Sequence, residues 1–145
     1  MTTQQTPYTK PIPGTDRDSE TFWEAAHRHE LMAQRCNKCG RFRHPPRAHC
    51  SQCLSTDYTW TKLSGKGKVY TYIIVSHTVI PAFAQDVPYN VTQVALDEDT
   101  DRSAVFTTNL VNVKNEDIKA GMPVEVVFDD VTPDVTLPKF RPIRR

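Results

Sequence analysis

All four cysteines of this 145-residue chain lie in one short segment, as two C-x2-C pairs with ten residues between them. A C-x2-C turn directs two thiolates toward one point, and two such turns together complete a tetrahedron of sulfur ligands. The spacing therefore predicts a metal site. Its four ligands are Cys36, Cys39, Cys50 and Cys53.

Zinc is the metal that this ligand set favours, and iron in the same four-sulfur cage is the alternative. Four thiolates would saturate either metal, so that no open coordination position and no free nucleophile would remain. The site is therefore predicted to be structural. Gly40 after the first pair suits a tight turn, because glycine accepts φ > 0 without steric cost, whereas Leu54 after the second pair is less suited.

The segment around the cysteines is basic. Five cations lie in or beside it: Arg35, Lys38, Arg41, Arg43 and Arg47. A zinc ion with four thiolates carries a charge of about −2, which these cations would partly offset. Binding of an anionic ligand is the alternative interpretation.

The charge changes sign along the chain. Residues 1–70 hold 11 Lys or Arg against 6 Asp or Glu, for a net +5, and residues 71–145 hold 7 against 11, for a net −4. This distribution does not predict a general polyanion binder. The sequence has no apolar run of about 18 residues and no secretion signal at its start, so we expect no membrane span and a cytoplasmic location.

A helical segment precedes the cysteines. The first 15 or so residues are polar and rich in proline, which indicates an extended arm. Asp18 is a plausible N-cap for the helix that follows. Four residues of this helix fall on one face at helical spacing and predict a docked surface: Phe22, Ala25, Ala26 and His29.

Strand-like segments dominate the rest of the chain. Six of them are rich in β-branched or aromatic residues, or alternate between apolar and polar positions: 31–35, 58–63, 69–77, 89–96, 104–111 and 123–130. Segment 64–68 is interpreted as a flexible turn, and 115–121 as one helical turn. With four or five strands after the cysteines, a small OB-like barrel leaves the fewest bare edges.

Several motifs in fixed order resemble one family. FWEA, QRC-x2-CG, PPR, C-x2-C and SG-x-G-x-V occur between Thr21 and Pro142. They are similar to the proteins of domain of unknown function 35, DUF35, in which a rubredoxin-type zinc ribbon is joined to an OB fold and which are linked to acyl-CoA. One departure is His29, where the family often has glycine, so the helix is expected to end differently, or a second helix is expected to run on into Glu30.

The resemblance implies the fold and its division. A mainly β fold is expected, with an N-terminal arm and helix at residues 1–30, a rubredoxin-like zinc ribbon at 31–63, and a five-stranded OB-fold barrel with a C-terminal tail at 64–145. The resemblance also implies an accessory subunit that binds acyl-CoA or completes a partner's active site. The expected partner is a thiolase-like enzyme (acyltransferase or aldolase) or a hot-dog-fold hydratase, in a hetero-oligomer.

Coenzyme A would need cations at its phosphates and an apolar channel for its pantetheine arm. The candidates for the phosphates are Arg47, Lys66 and Lys68, although ordinary solvated cations are the alternative. Phe83 lies in a proline-bounded apolar loop, residues 76–89, which predicts either an interface or a loop folded over the barrel. His77 could act as a base only in a shared active site, since no acid or nucleophile pairs with it in the sequence.

Two other functions remain open. Zinc ribbons and OB barrels also occur in single-strand nucleic-acid binders, but the net −4 of the barrel half opposes a polyanion. Tyr70 and Tyr72 could stack on bases, although core packing is the preferred interpretation. A stand-alone enzyme ranks last, because the sequence shows no Ser–His–acid or Cys–His set with free members.

Overall fold

The computed structural model describes residues 7–144, so the first six residues of the predicted arm lie outside the described part of the chain. One α-helix and eight β-strands follow one another, with two short 3₁₀ turns at Pro81–Phe83 and Asn115–Asp117. Their bounds are α1 Glu20–His27, β1 Met32–Cys36, β2 Phe42–Arg43, β3 Tyr58–Lys62, β4 Lys66–Val75, β5 Tyr89–Leu96, β6 Phe106–Thr108, β7 Pro123–Asp130 and β8 Thr136–Pro142.

Helix α1 begins one residue later than the sequence predicts. Ser19, not Asp18, is the N-cap residue. The Ser19 hydroxyl donates to Asp16 Oδ1 at 2.6 Å and its backbone N–H donates to the same atom at 2.8 Å, which fixes the turn before the helix. The predicted docking face is confirmed for Phe22, Ala25 and Ala26, which are all buried.

The end of α1 explains His29. This residue has a φ of 61°, in the left-handed region that normally favours glycine. Its N–H donates to Ala26 O, and the Glu30 N–H donates to Ala25 O, both at 2.9 Å, which is the Schellman arrangement of helix ends. His29 is therefore exposed beyond the helix rather than part of its buried face, and the helix does not continue into Glu30.

The cysteines lie on a three-stranded antiparallel sheet of order β2-β1-β3. Strand β1 pairs along its whole length with β3, from Met32 opposite Lys62 to Cys36 opposite Tyr58. Strand β2 is only two residues long. The two C-x2-C turns thus extend from the end of this sheet, one after β1 and the other before β3.

The remaining strands form a nearly closed barrel of order β6-β5-β4-β7-β8. A parallel bridge between Leu110, just after β6, and Phe140 of β8 joins its two edges. The Val111 N–H donates to Phe140 O at 2.8 Å and the Phe140 N–H donates to Asn109 O at 3.2 Å. A five-stranded barrel closed in this way is an OB fold, so the predicted fold class is confirmed.

Strand β4 begins inside the segment that was predicted as a flexible turn. The first three residues of β4 are Lys66, Gly67 and Lys68, and they pair with β7. A Cβ atom at Gly67 would lie 2.4 Å from Ala95 O, so the neighbouring strand approaches too closely for any other residue. The glycine here marks close strand packing and not a loop.

A single apolar core runs through both sheets and the helix. Phe140, Val94 and Val124 are fully buried at its centre. Phe22 of α1, Leu31 before β1 and barrel residues belong to one cluster, so the three parts pack as one body. Their division at 30/31 and 63/64 stays a prediction. Among the residues described, no helix has the length and apolar character needed to span a membrane.

Candidate metal centre and ligand-binding surfaces

The two cysteine turns have the same backbone conformation. After the first pair, the Gly40 N–H donates to Cys36 O at 2.9 Å with a φ of 77°. After the second, the Leu54 N–H donates to Cys50 O at 3.0 Å with a φ of 61°. Leu54 therefore adopts the positive-φ turn to which leucine is less suited than glycine. Its side chain is 73% exposed.

The four sulfur atoms converge on one point. Cys36 Sγ lies 3.6 Å from Cys53 Sγ, and Cys39 Sγ lies 3.5 Å from Cys50 Sγ. All four sulfur atoms lie within 4.8 Å of one another, and none is in a disulfide. A tetrahedral ion with metal–sulfur bonds of about 2.3 Å places its sulfurs about 3.8 Å apart. The donor set therefore fits one four-coordinate metal ion, and the predicted metal-binding cluster is present.

Backbone amides favour the thiolate form of the first cysteine in each pair. A backbone hydrogen bond from Cys39 lowers the pKa of the Cys36 thiol. The equivalent bond from Cys53 lowers the pKa of Cys50 to about 6. Hydrogen bonds to sulfur stabilise the charged form, and the thiolate is the form that binds metal. The pKa of the Cys39 thiol is instead raised to about 11, so the turns favour the thiolate form only at Cys36 and Cys50.

The arginines around the cluster have partners of their own. Arg41 Nε donates to Asp101 Oδ2 at 2.7 Å, which links the first cysteine turn to the barrel. Arg35 Nε donates to Gly40 O at 3.1 Å, and Arg47 Nε reaches Pro45 O at 3.5 Å. These Nε groups thus donate to protein oxygen atoms rather than to sulfur. These arginines could offset the negative charge of the thiolates only over a longer range than a hydrogen bond. Their role in offsetting that charge stays a prediction.

Arg43 is buried, which its sequence context did not indicate. It is 4% exposed, and its guanidinium carbon lies 4.5 Å from the centre of the Tyr58 ring. Its Nε donates to Oε1 of the fully buried Gln34 at 2.7 Å, and that oxygen also accepts the Arg47 N–H at 2.9 Å. Gln34 thus holds the chain between the two cysteine pairs against β1.

The five predicted ligand residues do not share a cavity. Arg47, Lys66, Lys68 and His77 are exposed, and Phe83 is half-buried in the 3₁₀ turn. Lys66 and Lys68 lie on β4 and not in a loop. Of the four cavities described in residues 7–144, one, of about 540 Å³, is lined by one of the five, Lys68. Their role in ligand binding stays a prediction.

The loop between β4 and β5 exposes some of its apolar residues and half-buries others. Val79 is 88% exposed and Ile80 is 47% exposed, and Ile73 on β4 is 62% exposed. Phe83 instead packs near Tyr89, with 5.8 Å between the ring centroids, and Lys10 Nζ lies 5.8 Å from the centre of the Phe83 ring. We name Ile73, Val79 and Ile80 the apolar arm.

Tyr70 and Tyr72 differ, contrary to the prediction that both pack in the core. Tyr72 packs against the core, but Tyr70 is 45% exposed under the guanidinium of Arg102, because a bulge between Val69 and Thr71 shifts the register of β4. The cavity beside Tyr70 is lined by two carboxylates, of Asp97 and Asp99, and by two cations, Lys68 and Arg102. Its charges therefore balance, and it does not form the positively charged groove that single-strand binding uses.

We name the three-stranded sheet with its two cysteine turns, residues 32–62, the cysteine module. A second cavity, of about 400 Å³, lies where the helix, the cysteine module and the barrel meet. Trp23, His44, Phe106 and Pro138 contribute to its walls. The imidazole of His44 stacks on the Phe106 ring, with 3.9 Å between centroids and 14° between planes. Sequence reasoning missed this cavity, since it forms from residues that are far apart in the chain.

Comparison with known proteins places these features in one family. Residues 23–59 match the family model described as the ChsH2 rubredoxin-like zinc ribbon domain, and residues 60–129 match that of the ChsH2 C-terminal OB-fold domain. A DUF35 domain-containing scaffold protein of Methanocaldococcus jannaschii is 39% identical over 108 residues, which cover 74% of this chain and 73% of the relative. The chain belongs to the DUF35 family. The resemblance drawn from the motifs is confirmed.

DUF35 proteins of known structure share the whole architecture. A chain from the structure named Ltp2-ChsH2(DUF35) aldolase is 40% identical, with a TM-score of 0.77 over 90% of this chain and 98% of that one. A DUF35 protein of unknown function from Sulfolobus solfataricus, at 15% identity and a TM-score of 0.62, shares the fold.

A longer relative is the probable enoyl-CoA hydratase alpha subunit of Thermomonospora curvata. It is 39% identical over 142 residues, which are 98% of this chain but 43% of that protein. The chain therefore spans less than half the length of this relative.

Proposed function

We propose that this chain is a non-catalytic or co-catalytic accessory subunit of an acyl-CoA-processing enzyme. The observation that carries the proposal is its likeness, at 40% identity and over nearly all of both chains, to a chain of the Ltp2-ChsH2(DUF35) aldolase. The name of the Thermomonospora curvata relative, a hydratase subunit, supports the same kind of chemistry. The partner is a thiolase-like enzyme or a hot-dog-fold hydratase, in a hetero-oligomer.

The apolar arm is the proposed contact with that partner. Val79 and Ile80 expose apolar side chains, and burying them against another protein would be favourable. They sit at and beside the end of the β4–β5 hairpin, on a loop that rigid strands present. His77 lies in the same loop, so a shared active site at this contact would bring it to the partner's substrate.

Acyl-CoA is the proposed ligand of the assembly. Arg47, Lys66 and Lys68 are exposed cations that would pair with its phosphates, and Phe83 would lie along the pantetheine arm. Lys68 is the one of these residues that lines a described cavity of the isolated chain, so a partner would have to complete such a site.

The metal is proposed to be zinc, in a structural role. Four sulfur ligands on turns with amide-to-sulfur hydrogen bonds suit zinc and iron alike, and the zinc-ribbon match of residues 23–59 favours zinc. Elemental analysis of the purified protein separates the two metals, and a coloured protein would contradict zinc.

Partner binding is tested by affinity purification of the tagged chain from its native lysate, followed by reconstitution. We expect a stoichiometric thiolase-like or hot-dog-fold enzyme, whose acyl-CoA turnover increases when the purified chain is added back. A nuclease-sensitive absorbance at 260 nm without such an enzyme would favour the nucleic-acid alternative instead.

The contact surface is tested with Val79→Asn and Ile80→Asn combined. We expect this variant to lose the partner while keeping its fold and metal, because both side chains are exposed in the chain alone. Leu54→Asn is the matched control, since Leu54 is also exposed and apolar but lies in the cysteine module, and asparagine tolerates its positive φ. Equal partner binding by both variants would remove the apolar arm from the proposal.

A further inference from the structure

Three parts of the chain, the helix, the cysteine module and the barrel, each supply a mainly apolar wall to the cavity between them. Helix α1 and the segment before it supply one wall, the chain after β2 supplies another, and strands β6 and β8 supply the third. We name it the junction cavity. Its defining residues are Gly14, Trp23, His44, Phe106, Pro138 and Phe140. Its volume, about 400 Å³, falls within the ~300–1,000 Å³ range of small-molecule sites.

The electrostatics of the junction cavity favour an uncharged occupant. No carboxylate occurs in its lining among the described residues. Lys139, the one lysine or arginine in that lining, is paired with Asp129 at 2.6 Å. Burial, with a smaller contribution from the charge of Arg47, lowers the pKa of His44 to about 4, so its imidazole is neutral at pH 7. A phosphate or carboxylate would meet no free cation here.

The junction cavity has four polar lining residues besides His44 and Lys139, namely Ser19, Thr107, Thr108 and Asn109. The side chains of Ser19, Thr108 and Asn109 donate to protein oxygen atoms, whereas His44 makes no side-chain hydrogen bond within residues 7–144. Its Nδ1 is sealed from solvent and has no hydrogen-bond partner within residues 7–144. The imidazole stacks on the Phe106 ring, and the Phe22 ring lies tilted against it with 5.0 Å between the centroids of Phe22 and His44, so these two contacts fix the plane of the imidazole. Nε2 is therefore the nitrogen left to exchange a hydrogen bond with an occupant, and a neutral imidazole both donates and accepts.

We propose that the junction cavity binds an uncharged apolar group, an alkyl chain or alicyclic ring, that carries one oxygen within reach of His44 Nε2. Predominantly apolar walls with a small number of polar groups are the usual composition of such sites. The acyl end of a thioester is the source that the proposed function suggests, and only this identification rests on that proposal. The charged nucleotide of coenzyme A stays outside the junction cavity.

Tryptophan fluorescence provides a direct assay. The chain has two tryptophans, of which Trp23 lines the cavity and Trp60 lies on β3. In a Trp60→Phe background, titration with n-octanol, octanoyl-CoA and coenzyme A reports on the cavity alone. We expect saturable changes with n-octanol and octanoyl-CoA and none with coenzyme A. Saturation by n-octanol but not by octanoyl-CoA would identify a free apolar molecule, not a thioester, as the occupant.

Gly14 offers a variant that fills the cavity without straining the fold. A Cβ atom at this position meets nothing within 4 Å, and the backbone is not in the positive-φ region. Gly14→Phe is therefore expected to weaken n-octanol binding at least about tenfold by excluding it. Gly14→Ala, the matched control, is expected to change it less than about twofold. Equal affinities for Gly14→Phe and the parent chain would overturn the proposal.

His44→Phe tests the polar contact, since a phenyl ring retains the stacking on Phe106. We expect about fivefold weaker binding of n-octanol and unchanged binding of toluene, which has no hydrogen-bonding group. Equal loss for both probes would contradict the role of Nε2. These titrations use the chain alone, so their result does not depend on the partner. If the chain binds its enzyme but no apolar probe, the proposed binding in the junction cavity is wrong and the accessory-subunit proposal stands.

Discussion

The cysteine module and the barrel are stabilised by different means. Within the described residues 32–62, which form the cysteine module, Ala33 and Phe42 belong to the buried apolar core cluster and Trp60 packs against it. The barrel supplies most of that cluster, including Val94, Val124 and Phe140 at its centre. The module instead depends on its four sulfur ligands and on the polar contact between Gln34 and Arg43.

This contrast follows from size. A segment of about thirty residues cannot bury enough apolar surface to offset its conformational entropy, so it needs a metal or another cross-link. The barrel buries a continuous core and closes its own edges, so it needs neither. Loss of the metal and loss of core packing should therefore affect different parts of one chain.

The largest expected effect is that of removing the metal ligands. Cys36→Ser combined with Cys39→Ser should abolish metal binding and unfold the module, because structural zinc contributes roughly 10–16 kcal/mol in small metal-dependent domains. Hydrogen exchange should become fast in residues 32–62 and stay slow in β4 to β8. Ser51→Ala, at an exposed position between the second pair, should retain one metal per chain. Slow exchange in residues 32–62 without metal would show that the module, like the barrel, folds without a cross-link.

A core truncation should act on the barrel. Phe140 is fully buried, so Phe140→Ala should lower the free energy of unfolding by about 3–5 kcal/mol in urea denaturation. The metal content of the folded variant should not change. Ile73→Ala, which alters a side chain that is 62% exposed, should change the free energy by less than about 0.5 kcal/mol. Loss of metal in Phe140→Ala would show that the two parts fold as one cooperative unit.

The polar contact inside the module should matter less than the metal. Gln34→Leu leaves the Arg43 Nε and the Arg47 N–H without their acceptor, at a cost of about 1–3 kcal/mol. Adding Arg43→Met removes the buried charge and should recover part of that loss. The metal affinity of both variants is measured by competition with a chelator. A lower metal affinity in the double variant than in Gln34→Leu alone would show that Arg43 stabilises the module through the Tyr58 ring.

The smallest predicted effect concerns pH. The pKa of His44 falls from an ordinary value of 6.5 to about 4 in the folded chain, so the unfolded chain takes up the proton first. Its contribution to stability is complete above pH 6.5 and is lost as the pH falls toward 4. Between pH 7 and 5.5 the parent should lose about 1 kcal/mol more than His44→Phe. Parallel melting curves for the two would mean that His44 is not desolvated.

The sequence predicts elements well where the pattern is local. The bounds of β5 and β7 match the predicted segments 89–96 and 123–130, because both segments carry a regular run of β-forming residues. The metal cluster was predictable for the same reason, since all four ligands lie in one short segment. In these regions local spacing is sufficient to specify the structure.

The sequence fails where distant residues decide. Strand β8 contains Pro138 and Pro142, which argue against a strand, yet it forms along the barrel edge by pairing with β7. Strand β2 is too short to leave a pattern. His29 and Leu54 adopt glycine-like conformations because the helix end and the metal turn require them. The junction cavity depends on three separate parts of the chain, so no single segment predicts it.

The closing bridge between Leu110 and Phe140 has a consequence for synthesis on the ribosome. All four metal ligands have been added by Cys53, but the last barrel strand ends at Pro142. At ~5–20 residues per second, roughly 5–20 s separate these two events. The nascent chain can therefore acquire its metal while the barrel still lacks a strand, so that a folded module emerges first and waits for the barrel to close.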